Sequence, residues 1–182
     1  MLDRSPCEIK FVQKSSPIKG DDFLYALIFK FFTTKKLKYI IRAEYFKNEV
    51  YAIKYYVARD RRRDDKFYRL TNEFNAAEVF VTCASILPVI LKCNPAASFC
   101  FNATRSREDK KDRIESMYRN QRFRLYMEVI LRFIGVETFD HYSFEEVSSY
   151  LLINKLACSD TEGRKDKIRE MFLDIFDFHE SI

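Results

Sequence analysis

Apolar positions cluster densely from residue 23 onward, in runs too aromatic for loops and too evenly apolar for a helix with one wet face. Phe23–Phe32, Leu37–Phe46 and Val50–Arg59 are rich in Phe, Tyr, Ile and Val, the side chains that fit a pleated surface. The gaps Thr33–Lys36 and Lys47–Glu49 are of hairpin length, so the pattern predicts an antiparallel meander. A run apolar on both faces also admits a helix over Phe23–Phe32, which periodicity alone does not separate from a strand. Residues 1–20 mix Pro, Gly and Ser with charges. They are expected to form a loosely ordered lead-in, with one short strand at Glu8–Val12, ahead of a single domain over 21–182.

Helical signals follow. Asn75 and Glu78 have the spacing of an N-terminal cap, in which the Asn side chain accepts from an orphan amide. The helix they open, Ala76 to about Lys92, is apolar all round and hence expected to be buried. Pro88 should kink it, because proline has no amide to donate to the carbonyl of Ala84. Ala97–Asn102 reads as a further strand. Arg105–Lys111 is expected to be a solvated loop or helix start leading into a long helix that ends near Gly135, with Ile114, Tyr118, Leu125, Val129 and Phe133 along one face. Phe123, Met127 and Ile134 would give it a second apolar edge. Ser143–Lys155 suits either a helix capped by Ser143 and Glu146 or a strand of Val147, Tyr150, Leu151, Leu152 and Ile153. After a break at Gly163, Ile168, Met171, Phe172 and Ile175 recur at helical spacing. The sum is an α+β fold: a small antiparallel sheet, meander plus one or two later strands, with three helices packed on one face.

Composition narrows the class. With 47% hydrophobic and 16% aromatic residues in 182, the chain can bury a core and is not disordered as a whole. Its 32 basic and 27 acidic residues leave +5, a mixed surface whose attraction for phosphate is strongly screened by salt. Cys7, Cys83, Cys93, Cys100 and Cys158 are odd in number and lack metal-site spacing, which points to buried, reduced thiols and a cytoplasmic protein. The most apolar segment, Val79–Leu91, is shorter than the roughly 20 residues of a membrane-spanning helix, and the amino terminus has no apolar signal core. No membrane partner is expected.

Chemistry leaves few traces. The two histidines, His141 and His179, are too few and too separated for a His-rich metal site. Ribonucleases built on Arg-x4-His need an Arg where this chain has Val136 and Asp174. Only Gly20, Gly135 and Gly163 are present, so neither a phosphate-cradling loop nor a nucleophile elbow can be built. The remaining enzyme alternative is a metal-dependent nuclease through Glu8-Ile9-Lys10, with Asp3 before it. The expectation is no enzyme, no cofactor and no metal.

Two basic segments stand out. Arg61, Arg62, Arg63, Lys66 and Tyr68 lie just past the predicted meander, and Arg105, Arg107, Lys110 and Lys111 just past the following strand. Arginine beside an aromatic ring at a sheet margin is how single-stranded RNA is held. Asp60, Asp64, Asp65, Glu108, Asp109 and Asp112 are threaded among these bases and cancel much of their field, which suits first a merely solvated face, next the polar rim of a protein-docking surface, and last a nucleic-acid track. Arg122 and Arg132 fall within the apolar face of the long helix. They are expected to form structural ion pairs, because a lone buried guanidinium is prohibitive.

The apolar helix, then NPAASFCF, then a helix carrying RFRLYMEVI, resembles a set of small uncharacterised α+β proteins of Bacteroidota genomes and their mobile elements. The likeness covers Asn75 to about Arg132, and the charged insert Arg105–Arg113 departs from it. It implies no activity and carries over no catalytic residue. The expected function is a non-catalytic protein-binding factor, acting as a mobile-element inhibitor or accessory on a bacterial nucleoprotein complex such as a CRISPR-type nuclease. The alternative is a single-stranded RNA-binding domain, and self-association through the C-terminal helix is a further expectation.

Overall fold

A computed structural model describes residues 5–69, 76–105, 107–108 and 113–176. Seven strands form one open sheet. They are β1 (Lys10–Ser15), β2 (Tyr25–Phe32), β3 (Lys38–Phe46), β4 (Val50–Val57), β5 (Ser98–Asn102), β8 (Phe139–Phe144) and β9 (Ser149–Asn154). The pairs β6 (Arg107–Glu108) and β7 (Arg113–Ile114) make a separate small ladder. The helices are α1 (Ala76–Ala84), α2 (Leu87–Cys93), α3 (Gln121–Phe133) and α4 (Thr161–Phe176). The order across the sheet is β1-β2-β3-β4-β5-β9-β8. All neighbours are antiparallel except β4 and β5. That parallel pair needs a long crossover, which α1 and α2 supply. The α+β class and the meander are therefore present, and Phe23–Phe32 is strand, not helix.

Strand alternation sorts the core into two. On one face Phe29, Phe31, Ile41, Tyr51, Ile53, Phe99, Phe101, Tyr150 and Leu152 pack with Phe80 of α1, Ile90 of α2 and Phe123, Tyr126 and Ile130 of α3. The intervening residues Ala26, Phe46, Val50, Ala52, Cys100, Leu151 and Ile153 meet Ile168 and Phe172 of α4. Packing of all the helices on one face is thus corrected: α4 covers the opposite side. The reason lies in β5 and β9, which are apolar at consecutive positions, so they have two faces to cover. Ile168 and Phe172, the stripe expected to serve the core or a second copy, lie in this second cluster.

Several local expectations change. The lead-in contributes β1, which pairs with β2 from Lys10↔Lys30 to Ser15↔Ala26. The Cys7 amide donates to Thr82 Oγ1 (2.9 Å). The buried carboxylate of Glu78 accepts from the Thr34 amide (3.1 Å), the Thr34 hydroxyl and the Cys7 thiol. Glu78 thereby ties the amino-terminal segment and the β2–β3 hairpin to α1, and its expected capping partner, Asn75, lies outside the described residues. The apolar helix is two helices, not one kinked helix. The break falls at Ser85–Ile86, and Pro88 sits in the first turn of α2, where a missing amide costs nothing.

Helix α3 begins at Gln121, so Ile114 and Tyr118 precede it instead of lying on it. Asn120 caps it by accepting from the Phe123 amide (2.9 Å). Ile114 and Tyr118, expected on its buried face, are 56% and 55% exposed. Ser143–Lys155 resolves as strand: β8 and β9 form a hairpin around Glu145–Val147, with Ser148 in the left-handed region at φ 48°. Gly163 does not break a helix; it lies in the first turn of α4, its amide bonded to Asp160 Oδ1 (2.8 Å). Of the cysteines, Cys83 and Cys100 are buried, and burial pushes the Cys100 thiol up to about 12. Cys93, expected to be buried, is exposed. The apolar stretch Ala76–Cys93 is 18 residues long, is broken within, and lends Phe80, Cys83, Ile86 and Ile90 to the core.

Phe80 is fully buried and stacks on Tyr126 at 4.0 Å. Phe80→Ala should lower the unfolding free energy by about 3–5 kcal/mol in urea titration. Ile114→Ala should stay within about 0.5 kcal/mol of the parent, whereas a buried Ile114 would cost several times more.

Candidate functional site at the end of the sheet

Strand β5 pairs with β4 only from Val50↔Ser98 to Ile53↔Phe101. Beyond Ile53, β4 runs on to Val57 while the chain leaving β5 turns away through Ala103, Thr104 and Arg105. The divergence opens a cleft of about 260 Å³ outside the carboxyl ends of two parallel strands, the position at which open sheets commonly hold ligands. Ile53, Tyr55 and Tyr126 line it with Phe67, Tyr68, Met117 and Val147, and Lys54, Asn102, Thr104, Arg105 and Arg122 supply polar groups.

Arg122 holds the two flanks together. Its Nη1 donates to the Phe67 carbonyl (2.5 Å) and to Thr104 Oγ1 (2.6 Å), and its Nη2 donates to the Arg69 carbonyl (2.9 Å). The Thr104 hydroxyl donates in turn to the Phe67 carbonyl (2.8 Å). The ion pair expected of Arg122 is, among the described residues, this fork onto main-chain carbonyls and a hydroxyl. A planar guanidinium with five donors suits such a junction where a lysine would not. Arg132, by contrast, is exposed on α3 and meets no carboxylate among the described residues.

At the floor, the Tyr126 hydroxyl donates to the Tyr55 hydroxyl (3.3 Å). Burial raises the Tyr55 pKa, against the opposing pull of the Arg122 charge, and burial raises Tyr126 well above the usual phenol range. Both hydroxyls therefore stay protonated at neutral pH. Lys54 stands beside the Phe67 ring (5.9 Å to its centre) and bonds Glu44 Oε2 at 2.6 Å, while Arg42 holds the other oxygen of that buried carboxylate at 3.1 Å. Lys66 lies 5.2 Å from the Phe67 ring and 5.7 Å from Tyr56, within the range of cation–π attraction.

The expected site residues thus converge in part. Tyr68 and Arg105 line the same cleft, Lys66 is beside it, and Arg61, Arg62 and Arg63 lie exposed on the turn that leads in. Arg107 falls in β6, and Lys110 and Lys111 lie outside the described residues. Two of the three acids threaded through the first cluster pair with their own neighbours, and the third, Asp64, is exposed. Asp65 accepts from Arg63 Nε (2.8 Å) and Arg69 Nη1 (3.4 Å), and Asp60 faces Arg69 Nε at 3.8 Å. Hydrogen bonding to Arg63 holds the Asp65 carboxyl down to about 2. Arg61, Arg62 and Arg105 meet no carboxylate among the described residues.

Lys54, Tyr55, Thr104, Met117 and Tyr126 were missed by sequence reasoning. Lys54 left one signal, as the single charge inside the run Val50–Val57. The others carry none, because only the early end of β5 turns core-type tyrosines into a cleft floor. Glu8 and Lys10, the nuclease alternative, face each other at 3.7 Å on the surface. His141 contacts the Tyr150 hydroxyl (3.0 Å) and the Gly135 carbonyl (3.4 Å), and His179 lies outside the described residues. Among the described residues no three His, Cys, Asp or Glu side chains gather as a metal would require.

No protein-family model matches the chain, and neither a curated protein nor a solved structure does.

Arg122→Ala removes the donor to the Arg69 carbonyl and one of the two donors to the Phe67 carbonyl, which keeps its bond from Thr104, and should cost about 1–3 kcal/mol in urea titration, with Arg122→Lys recovering part of it. Asp65 gives a pH signature. A lowered native pKa means that its pairing contributes above the unfolded value of about 3.9 and is lost as pH falls through the native one. A carboxyl titration followed by NMR should place the Asp65 midpoint near 2 in the parent and close to the ordinary range in Arg63→Gln.

Proposed function

We propose that this chain is a non-catalytic binding protein that holds single-stranded nucleic acid, RNA foremost, at the β4/β5 end of its sheet. One observation carries the reading. Asp60 and Asp65 are engaged by Arg63 and Arg69, which leaves Asp64 as the one described acid of the first cluster set against Arg61, Arg62 and Lys66, next to a cleft walled by Phe67 and Tyr68 and bordered by Arg105. Cations set beside aromatic rings are the combination that single strands require, phosphate on the charges and bases on the rings. The pairing of Asp60 and Asp65 weakens the argument from interleaved acids against phosphate binding. The odd, partly buried cysteines favour a reducing cytoplasm as its setting.

A protein partner, with the chain as an inhibitor or accessory of a nucleoprotein machine, has one observation on its side. Phe133 is 51% exposed and, with Leu87, Pro88, Leu91 and Ile134, lines an apolar groove of about 340 Å³, well away in sequence from the basic turn. An affinity purification with and without nuclease treatment separates the two: partners lost on nuclease treatment are bridged by nucleic acid.

The direct measurement is anisotropy of a labelled unstructured RNA against salt. Affinity should be measurable at about 50 mM salt and fall with a slope near −0.7 per phosphate contact. Arg61→Ala with Arg62→Ala should flatten that slope by about 1.4 on the same scale. Absence of binding at about 50 mM salt, within the range where such contacts are strong, would remove the reading.

A further inference from the structure

We propose that the cleft between β4 and β5 is a pocket for one unstacked nucleobase, with the adjoining phosphate left outside on Arg105 and the Arg61–Arg62 turn. This deepens the strand-binding reading and rests on it. The size argues for a single ring system. The cleft, about 260 Å³, falls just below the roughly 300–1,000 Å³ of sites that enclose a drug-sized ligand, so it cannot also take the backbone.

The distribution of polar groups decides which end of a nucleotide enters. A pocket for phosphate presents uncommitted cationic donors or backbone amides at its floor. Here the deep guanidinium, Arg122, is committed to the Phe67 and Arg69 carbonyls and Thr104. Lys54 is committed to the buried Glu44. What remains at the floor is neutral: the Tyr55 and Tyr126 hydroxyls, 3.3 Å apart, which can donate to or accept from the edge of a base. The walls, Phe67, Tyr68, Met117 and Val147, suit the faces of a planar ring, and a thioether such as Met117 makes favourable contact with aromatic edges. Tyr68, 45% exposed, stands at the rim with Arg105, also exposed. A ring can therefore slide past Tyr68 while its phosphate stays among the cations. An aromatic side chain from a protein would satisfy the walls equally but makes no use of the basic rim.

The test adds uridine 5′-monophosphate, adenosine 5′-monophosphate, ribose 5-phosphate or tyrosine amide to the full chain and follows the Met117 and Val147 methyl resonances. In parallel, RNA binding is measured for Tyr68→Ala, Tyr55→Phe and an oligonucleotide with one abasic position. The pocket predicts methyl shifts with the nucleotides and none with ribose 5-phosphate. It predicts a loss on the order of tenfold with Tyr68→Ala at unchanged salt slope, as stacking on one ring implies, and altered base preference with Tyr55→Phe. RNA binding that depends on Arg61 and Arg62 but ignores Tyr68, Tyr55 and the abasic position overturns the pocket while leaving strand binding intact. Methyl shifts with tyrosine amide that match or exceed those with nucleotides overturn it in favour of a protein side chain. No binding of any oligonucleotide removes the pocket and the strand reading together.

Discussion

The parallel pairing of β4 with β5 governs this molecule. Four residues of β4 find partners on β5, from Val50 to Ile53, and then the two strands separate. A parallel neighbour requires the chain to cross from one end of the sheet to the other, and α1 and α2 perform that crossing while covering Phe29, Ile41, Ile53 and Phe101. Because β5 ends early, the last turn of the ladder is missing beside Lys54–Val57, and the space is framed instead by Phe67–Tyr68, Thr104–Arg105 and α3. Cleft and crossover are two consequences of one register.

An opening of that kind in a sheet would be unstable if its margins were left with unsatisfied carbonyls, since buried polar groups without partners are costly. Arg122 answers this by reaching from α3 to both margins. Asn120 fastens the same region from the other side, donating to the Ala103 carbonyl (2.5 Å) while capping α3. Ser148 accepts from the Asn120 amide (3.0 Å) and donates to the Met117 carbonyl. The start of α3 and the β8–β9 turn are thus locked to the exit of β5. A site placed there is held by rigid elements, which favours recognition by fixed geometry.

Charge works by the same local bookkeeping of partners. The net +5 of the chain is weak as a long-range field. Near the cleft the relevant quantity is which charges are already engaged. Glu44 is consumed by Arg42 and Lys54, and Asp60 and Asp65 by Arg63 and Arg69. Arg61, Arg62 and Arg105 meet no carboxylate among the described residues, while Asp64 stays exposed on the turn that carries Arg61 and Arg62, so the local charge is set by which pairs form and not by the net charge of the chain.

The sequence by itself determined the later strands of the meander, the strand at Ala97–Asn102 and the amphipathic C-terminal helix, because each shows periodicity or a run of pleat-fitting side chains, whereas Phe23–Phe32, apolar on both faces, needed its neighbours to decide strand over helix. It also marked Tyr68 as a site candidate, as an aromatic ring beside arginines at the sheet margin, and Arg105, which opens a charged run without apolar partners. Tertiary structure alone decided the rest. Whether Ser143–Lys155 is strand, whether α4 lies with or against the other helices, and where α3 begins all depend on partners distant in sequence: β9 between β5 and β8, the second face of the sheet, and Asn120 against Ala103. The cleft belongs wholly to this second kind, because a strand's length fixes neither where its neighbour stops nor which arginine will span the gap.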